Sequence, residues 1–68
     1  MNTLDVVALA VDCPDDKLRR GQVGTIVELL SHHTYLVEFA DLNGEAYELV
    51  PIEESHLITL HHSPALAE

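Results

Sequence analysis

The sequence predicts an all-β fold, a small five-stranded, partly open barrel. Three observations carry this. Short β-branched runs recur at regular spacing. Turn residues separate them. The stretch Leu18 to Phe39, LRRGQVGTIVELLSHHTYLVEF, reads as a twisted hairpin with a glycine entry, a polar turn and an alternating return.

Leu4 to Val11, LDVVALAV, is the first expected strand, because it is short and rich in valine. Asp12 to Gly21 is a polar loop interrupted by Pro14. Gln22 to Leu30 is the second strand. Gly21 suits a positive φ, and Gly24 suits a bulge or a close backbone approach. Both faces of this strand are apolar apart from Gln22 and Glu28, so its buried face stays open. Ser31 to Thr34 is the connecting turn. In Thr34 to Ala40, Tyr35, Val37 and Phe39 take the core face, because Glu38 is costly to bury.

Asn43-Gly44 is a strong hairpin signal. Glu45 to Val50 is then the fourth strand, with Tyr47 and Leu49 inward and Glu45 and Glu48 outward. Pro51 is expected to end it. Pro51 to His56 reads as a short 3₁₀ turn before the last strand, Leu57 to His61. Residues 1–62 form one expected domain, and 63–68 a flexible tail.

Composition narrows the function. At 68 residues the core is small, and the 47% hydrophobic content argues against disorder. Twelve acidic residues against three basic give a formal charge of −9. Nucleic acid is therefore an unfavoured partner, and a basic protein the favoured one. The lone Cys13 fits a reducing cytoplasm. MNTLDVV has no basic region, so no signal peptide is expected, and no apolar run matches a membrane span.

No residue pattern points to catalysis. Cys13 sits among Asp12, Asp15 and Asp16, which repel a thiolate, and it has no histidine partner in the pattern. The paired carboxylates lack a cleft in so small a barrel. His32-His33 and His61-His62 are poor chelates singly, because neighbours on a strand point apart. No metal, cofactor or enzymatic activity is expected. The candidate site is a protein-binding face of Glu38, Asp41, Glu45, Tyr47, Glu48, Glu53 and Glu54, acidic with one aromatic anchor.

The order LDVVALAVD, LRRGQVGTIVEL, YLVEFAD-x-x-G, YELVPI and HLITL resembles the family of small bacterial proteins called domain of unknown function 4926. The resemblance spans Leu4 to Leu60. Its most specific pieces are Leu18 to Val27 and Val37 to Phe39. It implies an SH3-like β-barrel and carries no catalytic residues. Within that frame the expected function is an acidic protein-interaction module, in concrete form an antitoxin- or immunity-type inhibitor of a basic partner. The alternatives are a structural accessory subunit of a larger complex, a metal-binding protein using the histidine pairs, and a homo-oligomer.

Overall fold

A computed structural model describes residues 1–40 and 47–60, with Tyr47 described by its backbone alone. Five strands run in chain order: β1 (Val6–Leu9), β2 (Val23–Ser31), β3 (Thr34–Ala40), β4 (Tyr47–Glu53) and β5 (Leu57–Thr59). They form one antiparallel sheet in the order β4-β3-β2-β1-β5. The all-β reading holds, with a 3₁₀ turn at Glu54–His56 before the last strand. No pairing joins β4 to β5, so the sheet is open.

Alternation sorts the strands into two faces. Val7, Leu9, Ile26, Val37 and Phe39 are fully buried on one face, ringed by Tyr35, Val50, Ile52 and Leu57. Leu18 joins them from the β1–β2 loop. One sheet thus supplies both walls of its own core, which requires it to curl. The open choice on β2 is settled by its neighbours. Ile26 stands opposite Val37, and Gly24 opposite Val7, so these two residues face inward.

Gly24 lies where the backbone passes close to core side chains. A Cβ there would stand 2.7 Å from Val37 Cγ1 and 2.8 Å from the Phe39 ring. Gly21 has φ +90°, the left-handed conformation its place in the turn requires. Its N–H donates to Leu9 O at 2.7 Å and ties the loop back onto β1.

Several boundaries differ from the sequence reading. β1 is four residues, not Leu4 to Val11. Leu4 has φ 75°, and Asn2 N–H donates to Asp5 Oδ2, so the chain turns before the strand. Ala10 N–H still donates to His56 O in the β1–β5 register, and the chain bends away from the strand at Ala10 and Val11. β4 continues through Pro51 to Glu53 instead of ending there. Among the described residues it is an edge strand, and its outer side has no ladder for a missing N–H to break. β5 ends at Thr59.

The largest correction is the facing of β4. Leu49, expected inward, is 56% exposed, while Val50 and Ile52 are buried. The pairing register decides this. Val50 stands opposite Val37 and Ile52 opposite Tyr35, which puts Leu49 beside Glu38 on the outer face. Glu48, expected outward, instead shares the inner face of Val50, opposite Phe39, and is exposed at the start of the strand. The Asn43-Gly44 hairpin and the 63–68 tail lie outside the described residues.

Candidate partner-binding surface

The outer face of β2, β3 and β4 carries a compact polar and apolar array. Three cross-strand rows define it. They are Thr25–Glu38–Leu49, Glu28–Leu36–Pro51, and Ser31–Thr34–Glu53. Each row holds one carboxylate, and each comes from a different strand. Leu49, Leu36 and Pro51 fill the ground between them. With strands ~4.8 Å apart and ~3.3 Å per residue, the array covers roughly 10 by 13 Å.

Two of the expected residues, Glu38 and Glu53, belong to this array. Glu28 was not among the expected site residues. Strict alternation from the inward Ile26 would turn Glu28 into the core. A register shift between Ile26 and Glu28 adds one residue and turns Glu28 outward instead. Nothing in the sequence marks a bulge at Val27. Glu48 is exposed but on the opposite face of the strand, so it does not join the array. Asp41, Glu45 and the Tyr47 side chain lie outside the described residues.

Glu54 is held by the fold. It sits in the 3₁₀ turn, and the Tyr35 hydroxyl lies 3.1 Å from its Oε2 and 3.3 Å from Met1 O. The hydroxyl has one proton, so these two acceptors share it. His33 Nδ1 is 3.9 Å from Glu54 Oε1, and Glu54 N–H donates to His33 O at 2.7 Å. These contacts pin the β2–β3 turn to the 3₁₀ turn.

Burial raises the Tyr35 pKa above its ordinary 10.0, helped by the hydrogen bond to Glu54 and the charges of Glu54 and Asp5. The unfolded chain then loses this proton at lower pH than the folded chain. The contribution to stability is full below 10.0 and is lost as pH rises through the raised folded value. Tyr35→Phe is expected to remove that part of the alkaline loss. Thermal unfolding of both proteins from about pH 9 to about pH 11 reads it, and equal alkaline slopes would count against the assignment.

His61-His62 lies outside the described residues, and the other candidates stay apart. His32 and His33 occupy the two-residue β2–β3 turn, with rings 6.3 Å between centroids. Among the described residues, no three His, Cys, Asp or Glu side chains converge as a metal site. Cys13 is half-buried, packed against the core and unpaired. The β1–β2 loop forms an open hollow lined by Asp12, Pro14, Lys17, Leu18 and Arg19. No helix among the described residues is long and apolar enough to cross a membrane.

A protein-family model, Domain of unknown function (DUF4926), matches residues 3–59, and the chain belongs to this family. A search of curated proteins and a search of solved structures each found no match.

Proposed function

We propose that the domain is a non-catalytic protein-interaction module whose acidic outer face docks on a basic partner protein. The observation that carries the reading is the array of Glu28, Glu38 and Glu53 around Leu36, Leu49 and Pro51. An apolar centre excludes water, and a charged rim selects the partner and speeds encounter. The net charge of −9 extends the same field over the whole domain. The concrete form is an antitoxin- or immunity-type inhibitor in the cytoplasm, covering the basic cleft of its target.

Affinity capture at low and at moderate salt tests this, with bound proteins identified by mass. The wild type should retain a basic protein that salt releases. Glu28→Lys, Glu38→Lys and Glu53→Lys together should weaken that binding at least ~10-fold, mainly through the association rate. All three side chains are on the outer face, so the thermal midpoint of the variant should stay close to the wild type. Retention unchanged by the three substitutions would reject this face.

An accessory-subunit role is the second reading, favoured by exposed Leu49 and half-exposed Leu36. Ile52, the other apolar residue near the end of β4, is buried and adds nothing to that surface. A large complex insensitive to salt would select this reading over the first.

A further inference from the structure

β2 outruns its neighbour. It is nine residues long, but β1 pairs only with Val23, Gly24 and Thr25. Two further bonds close the gap at Ile26: Ile26 N–H donates to Asp5 O, and Leu4 N–H donates to Ile26 O. Beyond that, among the described residues, Val27 to Ser31 have β3 on one side and no strand on the other. Leu29 and Leu30 in this stretch are 54% and 45% exposed. An unpaired strand edge carrying consecutive exposed leucines is a template for another strand.

We propose that this edge pairs with the same edge of a second copy of the chain, antiparallel, with Leu29 on the twofold axis. The first support is local charge. Between Arg20 and Glu38 the sole formal charge is Glu28, in a chain whose net charge is −9. A basic partner finds few carboxylates here, whereas a second copy meets little repulsion. Free β4, by contrast, carries Glu48, Glu53 and Pro51 along its edge, the usual guards against pairing. The second support is the register. Leu29 is the centre of the unpaired five residues. β2 shifts register against β3 at Val27 and again between Leu29 and Ser31. Counted along the free edge with Leu29 opposite its own copy, Glu28 stands opposite Leu30 and Val27 opposite Ser31. No carboxylate faces a carboxylate, and the two Glu28 side chains are displaced to about 8 Å apart. The twofold makes the contact self-complementary and closed.

This contact takes up Glu28 of the acidic array and leaves Glu38 and Glu53 free, so Glu38→Lys with Glu53→Lys tests partner docking without touching the self-pairing edge. The two readings also differ in the sign of their salt dependence. Salt screens the repulsion between two copies of charge −9 and should raise the dimer fraction. The same salt weakens docking on a basic protein.

Light scattering and sedimentation of the purified chain over a wide concentration range test the proposal. The mass should rise from 7.5 kDa toward twice that value, and further with salt. Leu29→Lys should weaken self-association at least ~10-fold, with the thermal midpoint of the monomer unchanged because the side chain is exposed. Leu29→Cys combined with Cys13→Ser should form an intermolecular disulfide on mild oxidation, since paired antiparallel residues lie within disulfide reach. Ile58→Cys combined with Cys13→Ser, on the outer face of β5, should not. A chain that stays monomeric at every concentration overturns the proposal. So does a dimer that Leu29→Lys leaves intact, or one cross-linked through Ile58→Cys instead.

Discussion

Gly24→Ala is expected to destabilise the domain by about 1–3 kcal/mol, as overpacking of a tight core does. The added Cβ would stand 2.7 Å from Val37 Cγ1 and 2.8 Å from two atoms of the Phe39 ring. None of these is the far end of a flexible side chain. Val37 and Phe39 are both fully buried and cannot swing into solvent. The strand itself must move, and it is held by β1 on one side and β3 on the other. A chain of 68 residues has roughly 3–10 kcal/mol of total stability, so the loss is a large fraction of it. Chemical denaturation of both proteins measures it. A midpoint equal to the wild type would mean that the strand accommodates the methyl group and that Gly24 is not a tight contact.

Phe39→Ala is expected to cost more, about 3–5 kcal/mol, through lost burial and the cavity left behind. Phe39 is the largest of the fully buried side chains. It lies near the end of β3, with Glu48 opposite on the edge strand β4, so few neighbours can collapse into its place. In the range of stability a domain of this size has, this variant should be partly or wholly unfolded at room temperature. Loss of dispersed backbone amide resonances would show it. The two substitutions also touch each other. Removing the ring clears two of the three atoms that crowd the Gly24 Cβ. The double variant should therefore lose less than the sum of the two single losses. Strict additivity would show that the crowding falls on Val37 alone.

Much of the architecture was legible because its signals are local. Tyr35, Val37 and Phe39 alternate with Thr34, Leu36 and Glu38, and β3 follows that alternation without a break. Gly21 was marked for a positive φ and Gly24 for a bulge or a close backbone approach, and the first has φ +90° while the second has core atoms 2.7–2.8 Å from its missing Cβ. The 3₁₀ turn before the last strand follows from its short polar composition. The family was legible from the order of these segments, and the family model spans residues 3–59.

The candidate surface was only half legible. Glu38 and Glu53 were expected, but nothing local placed them on one face with Glu28. A carboxylate's facing on a strand depends on the count of residues back to a neighbour of known facing. The bulge at Val27 changes that count by one, and so turns Glu28 over. Leu49 was misplaced for a related reason. Tyr47-Glu48-Leu49-Val50 offers an apolar residue on both faces, so alternation alone does not choose between them. The choice came from β3, whose Val37 and Tyr35 draw Val50 and Ile52 inward. Pro51 is a strand breaker in the sequence and a strand residue in the sheet, because β4 lies on the edge. Strand composition, turn chemistry and charge are properties of neighbouring residues, so the chain carries them wherever it lies. Facing, edge position and the free stretch of β2 are properties of pairs distant in sequence, and only the assembled sheet brings those pairs together.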